Sequence, residues 1–390
     1  MIPAAFHTIA SMKIVIATDK FKGSATGSEV ALATLRGIQA VMPEAHVVSV
    51  PVADGGEGTL QALAAAMPQL RPMHCEVAAP LPQLPPVEAH YLLDDEQHTA
   101  YIELATASGL TLVPEHLRDP LKTSTLGTGV MILDAINHGA RHIVLGIGGS
   151  ATNDCATGIL ASLGFEFLDA DGALVYPCGG DLSHIAHVDD CGVSQAVKDT
   201  QFTIICDVDN PLYGDNGAAH VYGPQKGASP AQVEELDQGL RHFATLMPDG
   251  IATTPGAGAA GGVGAGLMAF LNATLTPGID AVLDCMQFDR IISDANLIIT
   301  GEGRIDGQTA MGKTAAGVLR AGRKHGIPVV AICGALAAST RVDEMAFDGI
   351  FSIIQQPCTL EQAMDTATCL RNVEATVKQI MKLFLSQHKL

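Results

Sequence analysis

The apolar positions of this chain alternate between short continuous runs and stretches with helical spacing. Lys13-Ile-Val-Ile-Ala17 is a continuous run, as expected for a short strand buried on both faces. Thr26-x-x-Glu29 then forms a capping box. Behind it Val30, Ala33, Gly37, Ile38 and Val41 fall on one face of a helix. Pro43 ends that helix, and His46 to Val52 reads as the next strand. Strand, helix and strand in this order predict a parallel pair with a right-handed crossover. Prolines crowd the stretch from Pro68 to Pro86 and interrupt every period, which marks a boundary. Tyr91 to Leu93 and Thr99 to Leu104 read as strands of a different sheet.

Further along, Gly127 to Ile136 is apolar nearly all round, a buried helix stopped by Gly139. Ile143 to Ile147 and Gln201 to Cys206 read as strands, Asn153 to Leu163 as a helix, and Gly262 to Leu271 as a helix of small residues. After Ala295 the opening grammar returns. A strand from Leu297 to Thr300 leads to a helix from Thr309 to Lys324, closed by Gly326 and Pro328. Strands from Val329 to Cys333 and Ile350 to Ile354 follow, then a helix from about Leu360 to Ser386. Similar grammar at both ends, with a different texture between, predicts an α/β protein of two domains. A Rossmann-like (flavodoxin-like) parallel-sheet domain, residues 12–78 plus 290–390, is interrupted by an inserted α/β domain, residues 79–289.

Composition narrows the chemistry. The chain has 390 residues, 47% hydrophobic, with no Trp, 4% aromatics and 41 glycines. Small side chains and tight turns of this kind belong to compact α/β enzymes. A net charge of −19 with only 22 Lys and Arg excludes a nucleic-acid-binding face. An anionic ligand must then be served by a few placed cations against an unfavourable overall field. Nine cysteines without a Cys-x-x-Cys pair read as reduced thiols of a cytoplasmic protein rather than a disulfide framework. The histidines and methionines are assigned no chemistry, and no structural zinc is expected. No apolar run reaches the ~18 residues of a membrane span. Met1 to Ser11 lacks a basic n-region and a cleavage pattern, so Met12 is read as the start of the ordered chain.

The densest motif is Ile299-Thr-Gly-Glu-Gly-Arg-Ile-Asp306, read as a strand ending in a glycine-rich turn, with Lys313 at the start of the next helix. Backbone amides, a helix start and cations together suit a polyphosphate. Gly307 to Thr314 also matches the P-loop expression. A P-loop follows its strand directly, whereas Gly301 to Asp306 intervene here, so the match is read as coincidental. Asp19-Lys-Phe-Lys-Gly-Ser24 lies at a strand end, where Lys22 could meet a carboxylate or phosphate, though a solvated turn lysine would look the same. Ala53-Asp-Gly-Gly-Glu-Gly58 sets Asp54 among glycines. Gly146-Ile-Gly-Gly-Ser-Ala-Thr-Asn-Asp154 runs from strand to helix; it could cradle an anion or simply cap the helix. Asp207 stands just past a strand end, as metal ligand, base or turn-former. Tyr222-Gly-Pro-Gln-Lys-Gly227 offers Lys226, and Pro255 to Gly262 admits either a ligand or a tightly packed helix.

In their order and completeness, these motifs resemble the bacterial type-1 glycerate kinase family from Met12 almost to the C-terminus. They include Pro51-Val-Ala-Asp-Gly-Gly-Glu-Gly-Thr59 and Gly223-Pro-Gln-Lys-Gly-Ala228. Two departures stand out: Cys155-Ala156 occurs where the family usually has a glycine pair, and Lys20 replaces a common Ser. The resemblance implies ATP-dependent phosphorylation of D-glycerate by a two-domain protein, and a hinge is expected because a kinase must exclude water from the transferring group. The 2-hydroxyl is the expected acceptor and the 3-hydroxyl the alternative. Such chemistry needs Mg²⁺, cations on the phosphates and a carboxylate for the attacking hydroxyl. Arg304 and Lys22 are assigned to anionic groups of glycerate or the γ-phosphate. Lys313, Gly148, Gly149, Ser150, Gly258, Gly261, Gly301 and Gly303 are placed around the nucleotide. Asp207 or Asp54 is the base, and Asp306 or Glu302 helps to hold Mg²⁺. The expected partners are D-glycerate and ATP, with no nucleic acid and no membrane, and the reading admits a homodimer. The rival classes are an NAD-dependent oxidoreductase, whose ribose-binding acid is not found, and a nucleotide-binding module without turnover.

Overall fold

A computed structural model describes residues 12–52, 59–305, 314–337 and 346–387. The chain forms two compact units, Met1–Asp54 with Ile279–Leu390, and Gly55–Gly278. These limits fall before the expected 79 and 289. Arg71–Val77 is a strand paired antiparallel with Val87–Asp94, inside the second unit's sheet. Pro72 is tolerated there because the strand is an edge.

The discontinuous unit is built on a five-stranded parallel sheet. Its order is Gly349–Ser352, Val329–Leu336, Leu297–Ile305, Lys13–Thr18, His46–Ser49. Numbered along the chain within this unit, that is the 2-1-3-4-5 order of flavodoxin-like sheets. Ile14, Val15, Ile16 and Ala17 are wholly buried, as the continuous apolar run requires. Helix Gly27–Gln39 starts at the capping box: Thr26 Oγ1 accepts from the Glu29 amide, and Glu29 Oε2 from the Thr26 amide. This helix packs against Thr366–Gln387 at Gly37, where a Cβ would stand 2.8 Å from Val377 Cβ. The expected C-terminal helix is two helices, Leu360–Met364 and Thr366–Gln387. They part at Asp365, which has ψ 121° and accepts from the Thr368 amide to start the second.

The largest correction in this unit concerns Leu297–Ile305. A strand ending at Thr300 followed by a turn is expected, yet the strand continues through Arg304 and Ile305, paired with Ala335 and Leu336. The glycines make this run possible: a Cβ on Gly301 would lie 2.5 Å from the Ile332 carbonyl oxygen. The strand therefore ends one residue before Asp306, which removes one ground for reading the P-loop match as coincidental; the other stands, since the 76 residues after Thr314 are too few for the rest of a P-loop domain. Helix Thr314–Lys324 follows, and residues 306–313 lie outside the described residues.

The second unit holds a six-stranded mixed sheet in the order Thr274–Thr276, Gln201–Ile205, His142–Gly146, Thr99–Glu103, Val87–Asp94, Arg71–Val77. The first four are mutually parallel, and Val87–Asp94 runs antiparallel to both of its neighbours. Helix Leu126–Asn137 is the buried helix expected, with Met131, Ile132 and Ala135 at zero exposure. The helix expected from Asn153 begins only at Thr157, because Cys155 (φ 51°) and Ala156 (φ 64°) are left-handed. Helix Pro230–Phe243 is not anticipated above, although its marks are present. Ser229 and Gln232 form a capping box, and Val233, Leu236, Leu240 and Phe243 make one buried face. Among the described residues no helix is long and apolar enough to cross a membrane.

Candidate active site

Open parallel sheets bind ligands at the carboxyl ends of strands, where the strand order reverses. In the discontinuous unit that point lies between Lys13–Thr18 and Leu297–Ile305. Asp19, directly after the first strand, accepts from Thr314 Oγ1 at 2.8 Å and from the Lys20 amide at 2.6 Å. The strand end is thereby tied to the first residue of helix Thr314–Lys324. Phe21 and Ala25 exchange backbone hydrogen bonds of 2.9 Å and close a tight loop, with Gly23 at φ 77° and Lys22 exposed near its tip. Gly303 lies against this loop; a Cβ there would stand 3.2 Å from the Lys22 nitrogen. On its other side the Gly303 carbonyl oxygen would meet a Cβ on Gly334 at 2.7 Å. Gly301 and Gly303 are thus spacers that bring backbones together. They set Arg304, which is exposed, and Glu302, 8% exposed, beside the Lys22 loop. Two cations, Lys22 and Arg304, and two carboxylates, Asp19 and Glu302, share one edge of the sheet.

A second polar site lies in the inserted unit. After strand His142–Gly146 the chain makes a loop with Gly148 and Gly149 exposed and Ser150 buried. Gly149 needs a positive φ of 74°. The loop is pinned by hydrogen bonds from Leu110 N to Gly149 O and from Ala151 N to Ser108 O. Beneath it the buried Lys226 Nζ donates to Ser150 Oγ at 2.9 Å and to Thr152 O at 2.6 Å. Burial pushes the Lys226 ammonium down to about 7, with the charge of Asp154 opposing the fall. Asp154 Oδ2 accepts from the Thr125 amide, the Thr125 hydroxyl and the Gly158 amide at 2.7, 2.8 and 3.3 Å. Burial raises its carboxyl while these donors act to lower it. Gly261, at φ 72°, lies on this segment, since a Cβ there would sit 2.1 Å from Thr152 O. Gly258 packs in the same way on Pro211 O at 2.2 Å. Both glycines serve close backbone packing.

Asp207 follows strand Gln201–Ile205, and its Oδ1 accepts from the Gly278 amide at 2.7 Å. Asp54, Asp306 and Lys313 lie outside the described residues. Within its own unit, the sheet edge brings together Lys22, Gly301, Glu302, Gly303 and Arg304. The inserted unit brings together Gly148, Gly149, Ser150 and Gly261. Sequence reading missed Asp19 and Asp154 as organisers and left Lys226 without a partner. It also passed over the buried hydroxyls of Thr123, Ser124, Thr125 and Thr128, all at 2% exposure or less. The polar run Thr123-Ser-Thr125 directly before an apolar helix, with Thr128 in its first turn, was the available signal.

The comparisons with known proteins agree with this architecture. The glycerate kinase family model matches residues 14–385. A glycerate kinase of Halalkalibacterium halodurans is 45% identical over 92% of this chain and 94% of its own length. A glycerate 2-kinase of Escherichia coli is 44% identical over 94% of this chain and 98% of its own. The crystal structure of a proposed glycerate kinase 2 from Salmonella typhimurium LT2 superposes with a TM-score of 0.84 at 40% identity. It covers 97% of this chain and 100% of that one. The fold and its strand-end sites are those of an α/β phosphotransferase. The chain belongs to the glycerate kinase family.

Proposed function

We propose that this chain transfers the γ-phosphoryl group of ATP to the 2-hydroxyl of D-glycerate, giving 2-phospho-D-glycerate and ADP. The observation that carries this reading is the near full-length similarity to the relative named glycerate 2-kinase. The chemistry of the sheet edge supports it. Phosphoryl transfer demands little covalent help and much positioning, with cations where charge gathers on the transferring oxygens. Lys22 and Arg304 supply two such cations in a chain of net charge −19. Arg304 suits a carboxylate or a phosphoryl group because its guanidinium can donate two parallel hydrogen bonds.

The donor set also fits Mg²⁺, a hard cation that takes oxygen ligands and keeps several waters. Asp19 follows Thr18, which pairs with Gly301, so it lies beside Glu302 in the adjacent strand. Glu302 would hold the ion, with Asp306 as its expected companion; the ion would supply charge neutralisation on the phosphates. Asp207 is the base candidate within the described residues, and Asp54 is its alternative. Asp207→Asn keeps an acceptor for the Gly278 amide and removes the basic oxygen pair. A fall in kcat of about 10²-fold or more is expected of a base, and near-normal turnover would assign the role elsewhere.

The deciding experiment supplies purified protein with Mg-ATP and D-glycerate, follows ADP, and identifies the product by ³¹P NMR. A single phosphorus–proton coupling to the C2 proton is expected. Coupling to two C3 protons would identify 3-phospho-D-glycerate instead, and no glycerate-dependent ADP would overturn the kinase reading.

A further inference from the structure

Lys226 is an unusual lysine. It is 3% exposed and ends a short 3₁₀ turn, Pro224–Lys226. The turn is held close to Arg118 by Gly227, whose Cβ would lie 2.4 Å from the Arg118 carbonyl oxygen. An ammonium taken from water must recover its hydrogen bonds inside the protein. This one finds them on a single segment, at Ser150 Oγ and Thr152 O. Asp154, two residues further on, is turned to other work, binding Thr125 and Gly158. The cation is therefore hydrogen-bonded to the loop, and the Asp154 carboxylate acts on it through charge alone. Above it the loop has the opposite character. Gly148 and Gly149 are exposed, and among the described residues their backbone amides donate to no protein acceptor. Exposed glycine amides on a turn pinned by hydrogen bonds, with a buried lysine behind them, offer donors to an anion.

We propose that Lys226 is a positioning residue that fixes the loop 147–152 through Ser150 and Thr152, so that the Gly148 and Gly149 amides receive an anionic oxygen of the substrates. The anion is a phosphate of the nucleotide or the carboxylate of glycerate, two sources with one chemistry. The assignment rests on the kinase reading for the identity of those ligands. Lys226 does not touch the reacting atoms; it acts through the hydroxyl and the carbonyl it holds. Burial lowers the hold of the ammonium on its proton, and an incoming anion favours the charged form.

The test measures direct binding of Mg-ADP and of D-glycerate by calorimetry, alongside steady-state kinetics. The proteins compared are wild type, Lys226→Arg, Lys226→Met, Ser150→Ala and the Lys226→Met/Ser150→Ala pair. Lys226→Met is expected to weaken one of the two ligands by at least about tenfold and to lower kcat/KM by about 10²-fold. Ser150→Ala should do less, and the double variant should be no worse than Lys226→Met, because both changes break one connection. Lys226→Arg should recover part of the affinity, and the ligand that responds identifies the anion. Unchanged binding of both ligands to a folded Lys226→Met protein would overturn the proposal, as would multiplicative losses in the double variant. Should Lys226→Met fail to fold, Ser150→Ala and Ser150→Val replace it, and binding within twofold of wild type in both sinks the idea. Binding is read without turnover. A wild type lacking glycerate-dependent ADP formation therefore defeats the kinase reading alone, whereas an active wild type with a silent Lys226→Met defeats this proposal alone.

Discussion

Burial of Lys226 makes a prediction about stability that is separate from catalysis. Its folded value of about 7 lies below the ordinary lysine value of 10.5. Between those two pH values the unfolded chain binds more protons than the folded one, so stability rises with pH across that window. Buried thiols such as Cys155 and Cys178 act in the opposite direction, but only from their ordinary value of 9.0 upward. The raised carboxyl of Asp154 also acts in the opposite direction, from 3.8 upward, so it is the difference from Lys226→Met between pH 7 and 8.5 that reports the lysine. The wild-type melting temperature should climb there relative to Lys226→Met; parallel pH profiles would show that the lysine is not desolvated as described. Ala156 offers a second residue-scale prediction. A left-handed Ala costs about 1–2 kcal/mol, while the buried methyl returns about 0.8 kcal/mol. Ala156→Gly should thus be neutral or stabilise by up to about 1 kcal/mol in denaturant unfolding. Ala156→Val, with a branched side chain at φ 64°, should destabilise clearly. Equal stability of the Gly and Val variants would contradict the conformation described.

Several contacts between elements here are set by glycines. Gly37 joins helices Gly27–Gln39 and Thr366–Gln387, with Glu374 O and Val377 Cβ at 2.9 and 2.8 Å from the place of a Cβ. Alanine would gain about 1 kcal/mol of helix propensity at this position. Overpacking costs about 1–3 kcal/mol, and it wins because one contact is backbone and cannot rotate away. Gly37→Ala should therefore lower the melting temperature by several degrees; an unchanged or higher value would mean the helices stand further apart. The strand Leu297–Ile305 obeys the same logic and shows where sequence reading fails. Gly301 and Gly303 look like turn residues, because glycine usually marks a turn. They are strand residues because Ile332, Gly334 and the Lys22 loop approach them, and no local pattern encodes that approach. Cys155 and Ala156 mislead in the reverse direction. Nothing in a buried Cys-Ala pair announces positive φ, so the helix was expected too early.

For the molecule as a whole, the net charge of −19 works against its own substrates. Mg-ATP and glycerate are anions, and the mean field repels them until salt screens it. The Debye length falls from about 30 Å at 0.01 M to about 10 Å at 0.1 M ionic strength. Raising inert salt over that range should therefore increase kcat/KM a few-fold, the reverse of an electrostatically steered enzyme. A falling kcat/KM would mean that the local cations, among them Lys22 and Arg304, dominate the approach path as well as the bound state.

The alternation of buried runs and helical faces determined the class of fold, the flavodoxin-like unit and the existence of an insertion, because burial periodicity is a local property of the chain. Motif order was enough to point to the family. Tertiary structure decided which polar residues meet. Asp19 reaches Thr314 across 295 positions of sequence, and Lys226 reaches Ser150 across 76. Such partners are selected by strand order and by glycines that let backbones touch. A chain read one residue at a time records the donors and acceptors but not the distances between them.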